Sequence, residues 1–376
     1  EIFHPPPLSP SDPRVLLETS EPASAGASMG CVCMYSIDPL RDPRWQELLL
    51  RHPSASLFHT ASWLGALQQA HGYRPTAFTT SPPGSPLSNG VPFCDVNSWL
   101  TGRRLVSLPF SDHCEPLLDD DCAARDHFAG IWDNPHGKDT RYLEIRPVAF
   151  QPPGVTVLAR ENAYLLHRLD LRPDLDTLHS RFHKSSVQQV LRRAQKKALL
   201  VTEGASPQLL RDFYDLLTLT RKRHGIPPQP LRWFRALISA FGPNLKIRMA
   251  SKDGRPIAGI VTISFKNTMV YKYGGSDPDF KNLGGTTLLL WSAIQDAKAN
   301  GLEVFDMGRS NLDHASLIAF KEHWGAVPTR LQYWRVPGKV PQNSAVRIAR
   351  WMEQVTAACP AGLLQAVGAL LYKHVG

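Results

Sequence analysis

Between Met269 and Trp324 the chain spells out an ordered series of parts that few architectures accommodate. A strand, Met269-Val270-Tyr271-Lys272-Tyr273, runs into Gly274-Gly275-Ser276 and a polar turn, Asp277-Pro278-Asp279-Phe280. Leu283-Gly284-Gly285-Thr286-Thr287 then opens an apolar helix, and a second strand, Val304 to Arg309, carries a carboxylate at Asp306. After a polar loop come Ala319-Phe320-Lys321-Glu322-His323-Trp324. Strand, glycine turn, helix and strand in this order predict an α/β (α+β) chain with mixed sheets flanked by helices.

The chain's 376 residues suffice for two domains with substantial cores. Apolar residues make up 43% and charged residues 20%, the balance of a soluble globular protein rather than a disordered one. A formal net charge of +9 suits an anionic partner. Nucleic acid, a phosphorylated co-substrate and an anionic membrane surface all fit, as does a merely basic surface, and charge does not separate them. Cys31, Cys33, Cys94, Cys114, Cys122 and Cys359 form neither zinc-type pairs nor a disulfide framework. No His-Glu-x-x-His arrangement occurs, so no metal is expected. The absence of a long apolar run or a signal-like start makes a cytoplasmic location the default.

Residues 1–34 are rich in Pro, Ser, Ala and Glu without periodicity, and read as a disordered leader or an extension upstream of a start near Met29. A first domain is expected over 35–160. In it Trp45, Leu48 and Leu49 share one helical face, and Trp63, Leu64 and Leu67 another. Strands are expected at Arg74 to Thr80, Val91 to Val96, Arg104 to Leu108 and Arg141 to Arg146, with a helix around Cys122 to Asp133. A second domain, 161–337, opens on a strand at Tyr164 to Leu169. Helical segments follow at 174–199, 206–223 and 230–241, then strands at 245–251, 257–266 and 268–274. Both halves run helices, meander, helix and strand, which suggests an internal structural duplication without sequence identity. The 338–376 tail carries amphipathic helices, with Ile348, Trp351, Met352 and Val355 on one face and Leu363, Leu364, Val367, Leu370 and Leu371 on another. Packing onto the second domain or a peripheral membrane contact would each use such faces.

Several blocks resemble the FemAB-like acyltransferases of the GNAT superfamily, the type associated with cell-envelope or exopolysaccharide biosynthesis. They are Phe58-His59-Thr60-x-x-Trp63-Leu64, His71-Gly72-Tyr73-x-Pro75, Leu105 to Phe110, the basic run Leu191 to Lys197, Thr220 to Gly225, and Tyr271 to Trp324. The resemblance covers roughly residues 35–337, and it is the combination of blocks that is specific. The resemblance implies tandem GNAT-like domains. It further implies transfer of an acetyl, acyl or aminoacyl group to an amine of an envelope peptide or amino sugar. No cofactor would be bound; acyl-CoA or aminoacyl-tRNA would serve as co-substrate.

A GNAT fold splays two neighbouring strands and presents the amides of the next helix to donor phosphates. On that pattern Tyr273, Gly274, Gly275, Lys281, Gly284, Gly285 and Thr286 are candidate donor-binding residues, although the glycines could instead ease a helix start. Lys321 would stabilise the developing oxyanion, and Asp306 would deprotonate or orient the acceptor amine. An ion pair to Glu322 or Asp313 is the plainer role for Lys321, and bonding the Gly308-Arg309 turn the plainer one for Asp306. Arg192, Arg193, Lys196 and Arg309 would contact the phosphates of a nucleotide-linked acceptor or of tRNA. A protein that kept the fold only to bind glycan or peptide is the alternative. It would be marked by loss of polar groups between 306 and 321, which are present.

Overall fold

Alternating apolar residues build two mixed sheets, and helices with one apolar stripe cover them. The computed structural model describes residues 33–99, 102–118, 130–131, 140–150, 163–336 and 361–375. The expected leader, most of the expected 122–133 helix and residues 337–360 lie outside these. The first half contributes β1 (Tyr35–Ile37), α1 (Pro43–Arg51), α2 (Ala61–His71), β2 (Arg74–Thr79), β3 (Val91–Ser98), β4 (Gly102–Ser107) and β5 (Tyr142–Ile145). β6 (Ala163–Asp170), α3 (Leu175–Arg181), α4 (Gln189–Lys196), β7 (Leu200–Gly204), α5 (Pro207–Arg223) and α6 (Leu231–Phe241) follow. The meander is β8 (Leu245–Lys252), β9 (Arg255–Phe265) and β10 (Thr268–Ser276). Then come α7 (Gly285–Ala299), β11 (Val304–Asn311), α8 (Ala315–Glu322), β12 (Val327–Gln332), β13 (Trp334–Val336) and α9 (Ala361–Val375).

The two sheets repeat one pairing scheme. The first runs β1-β2-β3-β4-β5-β13, antiparallel except for the parallel pair β4/β5. Read from its far edge, the second runs β7-β8-β9-β10-β11-β6-β12, antiparallel except for the parallel pair β10/β11. The duplication is therefore in topology. β13 lies at the end of the second half in sequence but hydrogen-bonds into the first sheet at β5.

Local signals set the helix ends. Asp42 accepts the Arg44 amide at the start of α1, Thr60 that of Trp63 in α2, and Ser206 that of Leu209 in α5. The continuous helix expected over 174–199 is broken. Phe182 and His183 take extended backbone, and a π turn spans Lys184–Gln188 before α4 begins. The break lets Phe182 bury its ring against Trp291 and Trp324, with centroids 5.6 and 5.0 Å away. The His183 imidazole accepts the Ser186 amide and restarts the helix.

One core joins the halves. Phe58, Trp63 and Leu67 of the first half pack with Phe213, Trp233 and Ile263 of the second. Trp63 and Trp233 meet edge to face at 5.2 Å. α3, α4 and α7 cover the opposite face of the second sheet. α9 bridges both halves: Tyr73 Oη donates to the Tyr372 carbonyl (3.0 Å), and Tyr372 Oη to that of Pro227 (3.0 Å). Leu370 departs from the expected apolar face and is 72% exposed. No helix among the described residues is long and apolar enough to cross a membrane.

Candidate functional site

Pairing between β10 and β11 covers only Thr268 to Val270 against Val304 to Asp306, after which the strands part. A bulge in β11 between Asp306 and Arg309 turns that strand further, with Gly308 at φ 70°. A positive φ suits glycine because no Cβ collides with the backbone. Into the opening comes a loop of the first half. Its Asp112 accepts from Lys272 Nζ (2.9 Å), and Tyr333 Oη donates to the Asp112 carbonyl (2.7 Å). Arg309 donates to Tyr333 Oη (2.6 Å) and lies flat over Tyr164 at 4.3 Å.

The parted strands open a cleft of about 490 Å³ lined by Tyr271 to Gly274, Met307 to Arg309 and Lys321, with Asp112 and Phe110 from the first half. Arg146, Arg221 of α5, Gln229, Leu317 of α8 and Tyr372 of α9 complete its wall. Lys321 is only 3% exposed, and its ammonium donates to the carbonyls of Gly308 (2.8 Å) and Arg309 (3.0 Å). The alternative role, an ion pair to Glu322 or Asp313, is not formed; the ammonium is buried and held on carbonyl oxygens. Burial pulls its pKa down to about 8, against the opposing pull of Asp112 and Asp306. Burial likewise lowers Lys272. Asp112 is buried too, yet Lys272 and Arg309 hold its carboxyl below the usual range.

Asp306 sits at the same bulge but faces away from this cleft. It lines a second cavity of about 340 Å³ between the halves, with Phe58, His113 and Arg168. Its oxygens are occupied: Oδ1 accepts the Gly308 amide (2.8 Å), and Oδ2 accepts from Arg168 Nε (3.2 Å) and lies 3.5 Å from His113 Nε2. Burial would raise its pKa, but His113, Arg168 and the Gly308 amide outweigh it and hold Asp306 at about 2.

Of the other candidates, Tyr273, Gly274 and Arg309 reach the cleft, though Tyr273 Oη accepts from Trp233 Nε1 (2.8 Å). Gly275 lies against the α5 backbone at Leu217. Lys281, Gly284, Gly285 and Thr286 form a separate group at the start of α7, where no side chain caps Gly284. A Cβ on Gly284 would stand 2.8 Å from Val190 of α4, so this glycine lets the two helices touch. Arg192, Arg193 and Lys196 are exposed on α4 and do not line the cleft; Val190 and Ala194 are the residues of α4 that face Gly284. Sequence reasoning missed Asp112, His113, Lys272, Arg221 and Gln229. Lys272 carried a signal, a lone cation inside an apolar strand; Asp112 and His113 sit just past the Leu105 to Phe110 block and gain meaning only from the inserted loop.

The fold and the splayed cleft define a tandem GNAT-fold protein, and the comparisons with known proteins agree. Residues 182–316 match the family described as an acetyltransferase (GNAT) domain. The chain is 26% identical over 194 residues to the UDP-N-acetylmuramoylpentapeptide-lysine N(6)-alanyltransferase of Weissella viridescens, across 50% of this chain. It spans about half of that relative's length (54%). The fold is that of the crystal structure of FemX (TM-score 0.61, 12% identity, covering 82% of this chain and 98% of that one). It is also that of a tandem GNAT protein from the clavulanic acid biosynthesis pathway (TM-score 0.52, 13% identity, 82% and 99%). The chain thus resembles the FemAB-like proteins of the GNAT superfamily, with the GNAT domain matched over 182–316.

Proposed function

We propose that the protein is an N-acyltransferase that moves an acyl or aminoacyl group onto an amine of a cell-envelope precursor, a peptide or an amino sugar. The observation that carries this reading is the Lys321 ammonium, held on two carbonyls at the edge of a cleft opened by parting strands. In the reaction the acceptor nitrogen attacks the donor carbonyl carbon. A C–N bond forms, the donor's C–S or C–O bond breaks, and the amine proton leaves for the departing group. Lys321 faces the oxyanion, where a fixed cation in a water-poor site lowers the barrier. Asp112, the carboxylate lining this cleft, orients the amine, a role assigned to it rather than to Asp306 because Asp306 faces the other cavity.

Arg221 and Arg309 suit an acceptor that carries phosphate or carboxylate, such as a nucleotide-linked precursor. The start of α7, which no side chain caps, and the exposed basic residues Arg192, Arg193 and Lys196 of the neighbouring α4 suit the phosphates of the donor, acyl-CoA or the acceptor end of a charged tRNA. Among the described residues, a peripheral membrane contact suits α9, where Leu370 and Lys373 are exposed and exposed Trp99 packs on His374. A binding screen of acetyl-CoA against aminoacyl-tRNA tests the reading. Saturable binding of one donor, weakened by reversing the charge of Arg193 and Lys196, is expected; binding of neither would contradict it.

A further inference from the structure

The cleft and the inter-half cavity meet at a single residue, Gly308. On one side its carbonyl holds Lys321 Nζ at 2.8 Å; on the other its amide is bound by Asp306 Oδ1 at 2.8 Å. The bulge is what makes this geometry available. An extra residue between Asp306 and Arg309 turns the carbonyls of both Gly308 and Arg309 toward Lys321, which regular pairing would not do. Asp306 is fixed in turn through Arg168. Arg168 Nε of β6 donates to it at 3.2 Å, and Nη2 of the same guanidinium donates at 3.2 Å to His113 Nε2, on the loop inserted from the first half.

We propose that Asp306 is a positioning residue: held by Arg168, whose guanidinium His113 of the first half orients, it clasps the Gly308 bulge and so fixes the two carbonyls that carry the Lys321 ammonium. The first half thereby sets the geometry of a catalytic group that belongs to the second. This rests on the reading of Lys321 given above, but its mechanics are local to the bulge. The charged groups around the ammonium are Asp112 on the inserted loop, Asp306 and Arg309 on β11, and Lys272 on β10. His167 of β6 also acts on it, buried and biased toward the neutral form by that burial, while Glu322, exposed, acts on His167.

The test needs no substrate. Wild type, Asp306→Ala and Asp306→Asn are treated with a trace of a water-soluble amine-acylating reagent over a range of pH. Labelling of Lys321 and Lys272 is read by peptide mass spectrometry. Lys272 is also buried, 5% exposed in its side chain, and its partner is Asp112, so it reports general loosening. In Asp306→Ala the Gly308 amide loses its clasp, and Lys321 labelling should rise at least tenfold with Lys272 unchanged. Asparagine keeps an oxygen for the amide but loses the charge. Asp306→Asn should therefore label slowly, as wild type does, with the midpoint of its pH dependence moved to lower pH. Unchanged Lys321 labelling in Asp306→Ala, or a parallel rise at Lys272, overturns the proposal. If the alanine variant does not fold, Asp306→Asn decides: an unmoved midpoint overturns it. These outcomes are independent of transfer, so the clasp can fail while Lys321 remains essential for turnover. Equally, Lys321 can prove dispensable for turnover while the clasp stands.

Discussion

Removing the Lys321 amine leaves the carbonyls of Gly308 and Arg309 without their donor, inside a site where water reaches them poorly. Lys321→Ala should therefore lose stability as well as activity, by about 1–3 kcal/mol for a buried acceptor left unpaired. Chemical denaturation of the purified variant measures this; an unchanged midpoint would mean the ammonium is solvated. The sequence alone placed this lysine but implied a partly exposed group, because burial depends on a bulge that no local pattern announces. Asp306 carries a pH signature. Its carboxyl is held at about 2 against an ordinary 3.8, so the folded state takes up its proton less readily than the unfolded chain. Its stabilising contribution is then complete above about pH 4 and lost as pH falls through about 2. Acid unfolding curves should fall more steeply over this window in wild type than in Asp306→Asn. Superimposable slopes would show the carboxylate to be uncoupled from folding.

At the scale of elements, the bulge in β11 is the part that turns a common strand into a site. Gly308 adopts φ 70°, and a Cβ there would stand 3.2 Å from Asp112 Oδ2. Gly308→Ala should cost about 1 kcal/mol or more through the positive φ alone and should push Asp112 from its place beside Lys272. Thermal denaturation checks the first effect and the Lys272 labelling rate the second; a neutral substitution would mean the bulge is free to remodel. The strand, glycine turn and helix from Met269 to Thr287 could be read from residue types, since alternation and breakers are local. The broken helix at Phe182 could not, because that break follows from a pocket between Trp291 and Trp324 supplied by α7 and the segment after α8. Nor could Asp112 and His113, whose meaning comes from a loop inserted between strands far along the chain.

Across the whole molecule, the repeated halves share a core and the second half supplies an edge strand to the first sheet, so they should behave as one cooperative body. Trp63, fully buried, lies 4.9 Å from Phe58 and 5.2 Å from Trp233, bridging first-half and second-half helices. Trp63→Ala should cost about 3–5 kcal/mol and lower a single calorimetric transition, rather than splitting off a stable second half. Two separate transitions in wild type would contradict the shared core. The duplication was visible in sequence as a matching order of elements. That β13 returns to the first sheet was not, since a three-residue strand carries no sign of its partner. The central claim is that Lys321, set over this cleft, drives acyl transfer to an amine. It is tested most directly by counting label carried from radiolabelled acetyl-CoA or charged tRNA to an amine-bearing envelope precursor, by wild type and Lys321→Ala. The account predicts transfer from one donor, reduced about 100- to 1,000-fold in the variant. Undiminished transfer by a folded Lys321→Ala protein, or transfer from neither donor, would contradict it.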